Sequence, residues 1–294
     1  MQPIGNRLLC VAPISCALLI AGLASPINLH AQFVYTQGDL MLNFREVNSG
    51  ADGSYNVTLN LGSASTFVST YQNQGVQLSS FDVDYLLGAT GSGGAGFGDL
   101  DNVRWSSTAS LAPANNINAA DNNHIWASRA RTGNLSNDGS TAGVAGSTAW
   151  TRRTETQQGA AGQRIHSVGV GAAGVGVDFD IDATRTDSGS AQSYRSFSGS
   201  TGAYNVNGAT TLFGSSSVEA NTGTGFSGSS YLDLYDIPFG SGASSYVGYF
   251  EFQSDGDLFF YGSNFVPVPE PGTWALLLVG GAGAWLRLRR KNRK

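Results

Sequence analysis

Apolar positions recur in steps of two along several stretches of the chain, the pattern of strands that bury one face. Leu40, Leu42 and Phe44 alternate between Asp39 and Arg45, and Tyr55, Val57, Leu59 and Leu61 repeat the pattern downstream. Gly50, Asp52 and Gly53 lie between the two stretches as turn residues, so the pair reads as a hairpin. A second hairpin is predicted from 246–252 and 258–261, which flank Ser254, Asp255, Gly256 and Asp257. The Asp-Gly pair supplies the positive φ that a tight turn requires. Further strands are expected at 81–87, 103–107, 124–128, 166–182 with a break at Gly174, and 231–236. Residues 142–161, carrying Arg152, Arg153, Glu155 and Gln157, read as either a short polar helix or an exposed loop. The Gly/Ser-rich, apolar-poor stretches 88–98, 188–201 and 214–230 are expected to be long surface loops. No fixed-period repeat stands out, which turns the reading away from a solenoid or propeller. The predicted fold is therefore all-β, a β-sandwich-like domain with long Gly/Ser-rich loops.

The two ends break this pattern. Pro267, Pro269 and Pro271 cannot continue into a helix, because proline fixes φ and lacks an amide donor, so they divide the domain from the C-terminal run. That run is uncharged from Trp274 to Leu286 and ends in Arg287, Arg289, Arg290, Lys291, Arg293 and Lys294. Counted over 273–288 it gives about 16 residues, or roughly 24 Å of helix, short for a hydrocarbon core of about 30 Å. Local thinning, or Arg287 and Arg289 reaching outward along their aliphatic stems, would make up the difference. Trp274 and Trp285 bracket the run at headgroup level, and the basic end belongs on the cytoplasmic side, which places the domain outside. Gly280 and Ala284 have the spacing of a small-residue helix pair. At the other end, Arg7, an apolar stretch from Leu8 to Ala24 and the small-residue site Leu29, His30, Ala31 describe a secretory signal peptide over 1–31. Cleavage after Ala24 is the alternative. The expected organisation is a signal peptide at 1–31, an exported β-rich domain at 32–265 and a C-terminal segment at 266–294 with one transmembrane helix.

Val268, Pro269, Glu270 and Pro271, a short apolar helix and an Arg-rich end together resemble the PEP-CTERM sorting signal of bacterial exported proteins. The resemblance implies that Pro269, Glu270 and Pro271 are recognised by a membrane-embedded exosortase, which removes the anchor formed by Trp274, Trp285, Arg287, Arg289 and Arg290. It further implies release or transfer to the cell surface or the extracellular polysaccharide matrix. Residues 38–45 and 248–256 also look similar to patterns in other proteins bearing this tail.

Composition narrows the chemistry. Residues 32–271 hold nine arginines against all 21 acidic residues, a net formal charge of −12, and both lysines sit in the tail. Nucleic acid is thereby disfavoured as a partner, since phosphate neutralisation needs clustered Lys and Arg. Glycine, at 40 of 294 residues, is near twice the usual share of about 7%, so turns should be frequent. Cys10 and Cys16 both precede the domain, which removes a disulfide, a thiol nucleophile and Cys-ligated metal from it.

Several constellations invite a chemical reading. Asp178, Asp180 and Asp182 offer oxygen ligands for calcium, but alternation places them on one strand face without the glycine and distal Glu of an EF-hand, and a solvated face is the reading taken. Gly91–Gly96 and Gly169–Gly174 both satisfy G-x-G-x-x-G, yet neither has the strand-to-helix setting that holds a pyrophosphate. His124 and His166 stand far apart with no hydrolase or zinc motif and read as ordinary surface or strand residues. No carboxylate pair is singled out for glycoside cleavage. No catalytic residue, metal or cofactor is expected. The function expected is that of a non-enzymatic surface or matrix protein, structural or adhesive. The alternative is a carbohydrate-binding module stacking sugars on Trp105, Trp126, Tyr249 and Tyr261, whose other reading is core packing. A polysaccharide hydrolase ranks last.

Overall fold

Leu40, Leu42 and Phe44 are buried on one side of strand β1 (Asp39–Asn48), and Met41, Asn43 and Arg45 are as fully buried on the other. A strand covered on both faces cannot sit at a simple two-sheet surface, and this one lies mid-sheet. The computed structural model describes residues 33–48, 51–80, 97, 99–111, 124–151, 154–175, 177–180, 183–187, 189–199, 204, 217–239, 243–267, 279, 281, 282, 285 and 287. After β1 come β2 (Ala51–Ser63), helix α1 (Ala64–Ser69), a 3-10 turn at Tyr71–Asn73, β3 (Gly75–Ser80), β4 (Val103–Ser110) and β5 (His124–Ala130). Helix α2 (Glu155–Val175), β6 (Val177–Asp180), β7 (Ala183–Asp187), helix α3 (Tyr194–Ser198), β8 (Ala220–Asn221), β9 (Ser229–Pro238), β10 (Ser245–Gln253) and β11 (Asp257–Gly262) complete the described elements.

All of these strands join one antiparallel sheet in the order β3-β11-β10-β9-β5-β4-β1-β2-β7-β6, with β8 paired to β4 off this path. The sheet curls. Phe44 of β1 and Phe252 of β10 meet edge to face at 5.1 Å between ring centroids, although β4, β5 and β9 separate their strands in the sheet order. Trp105 of β4 joins them, 5.7 Å from Phe252, and its indole nitrogen donates to Ser230 Oγ at 2.8 Å. Phe67 of α1 plugs this interior against Phe250 and Phe260. Each such ring removed from water contributes on the order of 1.5–3 kcal/mol. The expected β-sandwich is thus corrected to a single sheet that packs against itself, a solution that strong strand twist makes available.

Helix α2 lies on the outer face. Gln158, Ala161, Ile165, Val168 and Ala172 are buried side chains spaced by three and four residues, and Ala161, Ile165 and Val168 share a core cluster with Met41, Ile125, Ala127, Tyr235 and Ile237. The strand expected over 166–182 is therefore overturned as far as Val175, and only Val177–Asp180 is a strand. Val168 and Val170 mimic strand alternation, but Val170 is exposed and the helical stripe decides. Of 142–161, residues 142–151 form a loop and the part from Glu155 on is helix, while Arg152 and Arg153 lie outside the described residues. Arg131 and Asp233 hold that loop. Arg131 Nη1 donates to Asp233 Oδ1 at 2.6 Å, while Gly146 N, Ser147 N and Ser147 Oγ donate to Oδ2 at 2.7–2.9 Å.

Both predicted hairpins form, β1 with β2 and β10 with β11. In the second, Gly256 has φ +96° and its amide donates to Gln253 O at 3.1 Å, as the Asp-Gly pair predicts. In the first, Asp52 and Gly53 belong to β2 rather than to the turn, and Gly50 lies outside the described residues. The strands at 103–107, 124–128 and 231–236 are present and longer than expected. The stretch 81–87 lies outside the described residues, and β3 just before it is an additional strand that alternation does not predict. The loop expected over 188–201 contains α3, and that over 214–230 contains β8.

Candidate functional site

Phe265 is tied to the end of the sheet. Asn264 N donates to Gln72 O at 2.8 Å and Ser263 N to Val247 O at 2.9 Å, while the Phe265 ring lies 5.7 Å from that of Tyr261. Gly75 and Gly139 leave room for that ring, since a Cβ at either would meet it. One residue later Val266 is 75% exposed. Of the predicted sorting and anchor residues, Pro269, Glu270, Pro271, Trp274, Arg289 and Arg290 lie outside the described residues. Trp285 and Arg287, like Val279, Gly281 and Ala282, are helical and exposed. Among the described residues no helix is long and apolar enough to cross a membrane, and most of 273–288 lies outside them.

The four aromatics proposed as a sugar platform are interior. Trp105 and Tyr249 are fully buried, and Trp126 and Tyr261 are nearly so. Tyr249 OH donates to Ser136 O and Tyr261 OH to Asn137 O, which ties the 131–150 loop to β10 and β11. A stacking surface built on these residues is therefore corrected to core packing. Asp178 and Asp180 sit on β6, where Asp178 pairs in register with Thr184, and Asp182 lies outside the described residues. Among the described residues no three His, Cys, Asp or Glu side chains gather to hold a metal. Gly169–Gly174 lies inside the last turns of α2, away from any helix N-terminus, and Gly91–Gly96 is outside the described residues. His124 is on a strand as expected and its Nδ1 lies 2.6 Å from Asp236 Oδ1. His166 is on α2, with Nδ1 3.3 Å from Tyr35 OH, and burial lowers its pKa.

An open groove runs between α2 and α3. Its larger part, about 420 Å³, is lined by His166, Ser167, Val170, Gly174, Gln192 and Phe197. A recess of about 160 Å³ continues it past Ser167 and Phe197 to Gln163 and Arg164. Residues on one side of α2 recur every three or four positions, so Gln163, Ser167, Val170 and Gly174 form a single row along the groove. The opposite wall is fixed by a buried network. Ser193 caps α3 by accepting from Ser196 N at 3.1 Å, and Tyr194 OH donates to Glu219 Oε1 at 2.8 Å. Glu219 is paired with Arg45 on β1, so the sheet itself sets where α3, and with it Phe197, stands. Arg164 Cζ lies 5.7 Å from the centre of the Phe197 ring, and no described carboxylate comes within ion-pair reach of it. None of these groove residues stands out in the sequence as a site. The signal available is Ser193 ahead of Tyr194, Arg195 and Phe197, a helix cap leading into bulky residues inside an apolar-poor stretch.

Residues 267–291 match the family described as PEP-CTERM protein-sorting motif, beginning two residues after Phe265. The motif marks a chain for export and membrane-associated processing by an exosortase-type enzyme. No curated protein and no solved structure matches the chain.

Proposed function

We propose that this chain, which carries a PEP-CTERM protein-sorting motif at 267–291, is a non-enzymatic protein of the cell surface or extracellular matrix with a structural or adhesive role. Residues 1–31 act as the signal peptide that starts export. Residues 273–288 form the temporary anchor, with Trp274 and Trp285 at the headgroups and Arg287, Arg289 and Arg290 on the cytoplasmic side. Pro269, Glu270 and Pro271 are the residues the processing enzyme reads.

The observation that carries this reading is the junction at Phe265. The last strand ends at Gly262, Phe265 packs on Tyr261, and the matched segment starts at Pro267, so the tail is removable without cutting any strand of the sheet. The seven residues 266–272 include three prolines, and an extended proline-rich linker spans about 3.1 Å per residue, or roughly 20 Å here. Before processing, the domain would thus stand close to the membrane while its recognition segment stays extended and reachable.

The mature C-terminus, measured by mass spectrometry in host strains with and without the processing enzyme, tests the proposal. A terminus near Pro271 that appears only with the enzyme is expected. An intact Lys294 in both strains would sink the processing step and leave a permanently anchored protein.

A further inference from the structure

We propose that the groove between α2 and α3 is a binding site for an anionic sugar, a uronate unit of an acidic polysaccharide, with Arg164 taking the carboxylate and Phe197 the ring face. The inference rests on the matrix location proposed above for the choice of a polysaccharide. Its geometry stands independently.

The larger volume, about 420 Å³, falls in the range of about 300–1,000 Å³ usual for small-molecule clefts, and the recess of about 160 Å³ shares Ser167 and Phe197 with it. Charge selects the ligand class. Residues 32–271 hold nine arginines against 21 acidic residues, and in the groove Arg164 stands with no described carboxylate at ion-pair distance, a local cation in an acidic chain. A guanidinium presents a planar fork that matches one carboxylate in two parallel hydrogen bonds. One such cation suits one carboxylate per ligand unit, whereas a polyphosphate calls for several cations. The ring wall fits the same ligand. Phe197 is half-buried, stands where the Tyr194–Glu219 contact places α3, and lines both volumes beside the Arg164 guanidinium, so its ring gives the apolar contact for the C–H face of a pyranose next to the cation. The Ser167 hydroxyl and the Gln192 amide also line the groove, groups of the kind that hydrogen-bond vicinal hydroxyls, with Gln192 Oε1 accepting from Ser190 Oγ at 2.9 Å.

The floor is also shaped for access. A Cβ at Gly171 would collide with the carbonyl oxygen of Gln192, so glycine there lets the wall close onto the helix. At Gly174 a Cβ would have nothing within 4 Å, so no packing demand explains a glycine that lowers helix propensity; it keeps the groove floor flat.

The test uses the protein as its host exports it, with trigalacturonate as the probe in calorimetric titration at low salt, compared with the fully methyl-esterified trisaccharide. The acid should bind at least tenfold more tightly than the ester, and Arg164→Gln should remove that difference. Phe197→Ala should weaken both at least tenfold. Equal binding of acid and ester, no binding of either, or an unchanged affinity in Arg164→Gln would each overturn the proposal. The ester comparison is made on the unaltered chain, so a variant that failed to fold would not protect the idea. Fractionation of the host separates the two readings. A protein found in the matrix that ignores the probe sinks this inference alone, while one that never leaves the membrane sinks the proposed function whatever it binds.

Discussion

Arg45 and Glu219, 174 positions apart in sequence, form a two-pronged ion pair under the outer face of the sheet, with Nε to Oε1 at 2.6 Å and Nη2 to Oε2 at 2.7 Å. Both side chains are 1% exposed. Tyr194 OH donates to the same carboxylate, and Ser106 Oγ lies 2.8 Å from that hydroxyl, so β1, β4 and α3 meet at one anion. Breaking a buried ion pair by removing one partner costs about 3–5 kcal/mol, whereas replacing both by apolar groups of similar size costs far less. Urea unfolding of Glu219→Ala should therefore show a loss of about 3–5 kcal/mol, and Arg45→Met combined with Glu219→Leu should recover much of it. Equal losses in the single and double variants would show that packing, not charge, sets the cost.

The glycines of α2 differ in a way that can be measured. A Cβ at Gly169 would enter the Tyr35 ring, and one at Gly171 would meet the Gln192 backbone, while Gly174 has open space. Gly169→Ala and Gly171→Ala should each destabilise by about 1–3 kcal/mol, the usual cost of forcing an extra methyl group into a filled site. Gly174→Ala should raise stability by up to about 1 kcal/mol through helix propensity, less any fraying at the last turn. Chemical denaturation of the three variants checks the order, and a destabilised Gly174→Ala would contradict the open floor of the groove.

How far these features are legible in the chain depends on the range of the interaction. Alternation at Leu40, Leu42 and Phe44 and the Asp255–Gly256 turn are local, and both hairpins derive from them. The stripe Gln158, Ala161, Ile165, Val168 and Ala172 is present too, but five glycines between Glu155 and Val175 lower intrinsic helix propensity, and burial against Met41 and Tyr235 supplies what propensity lacks. Curling of the sheet is not legible. It depends on Phe44 meeting Phe252, and nothing near either residue in sequence encodes the other. The same holds for the groove, whose walls come from α2 and α3 and whose second wall depends on Glu219. The sorting motif is contiguous, so the match at 267–291 is legible directly from the chain.

The alkaline limb of stability should belong to tyrosine. Both lysines lie in the tail and both cysteines precede residue 32, so between pH 9 and the arginine range the domain's side chains titrate only through its tyrosines. Burial raises the pKa of Tyr35, Tyr194, Tyr204 and Tyr246 above the ordinary value near 10, with nearby Asp39 adding to the effect at Tyr35 and Glu219 at Tyr194. The folded chain thus holds protons that the unfolded chain releases above that value. Stability is fully retained below about pH 10 and falls as pH rises beyond it. His166 acts at the other end: burial lowers its pKa, so the unfolded chain binds the extra proton and stability declines as pH falls below about 6.5. Thermal unfolding across pH, with tyrosinate absorbance tracked in parallel, should show absorbance from buried tyrosines appearing together with unfolding. Tyrosinate absorbance of all 11 tyrosines, reached while the chain is still folded, would contradict their burial.

Phe265 should mark the boundary between what the fold needs and what it does not. Its ring fills the space left open by Gly75 and Gly139 beside Tyr261, and Val266 directly after it is exposed. A chain processed anywhere after Phe265 should keep the unfolding midpoint of the unprocessed chain, because the residues removed complete none of the described elements. Phe265→Ala should lose about 2–4 kcal/mol, somewhat less than a fully buried aromatic because the ring is half-buried. Denaturation of the processed protein, the unprocessed protein and Phe265→Ala separates the cases. A processed form markedly less stable than its precursor would mean that residues beyond 265 pack on the domain, and the tail would then be a structural element as well as an address.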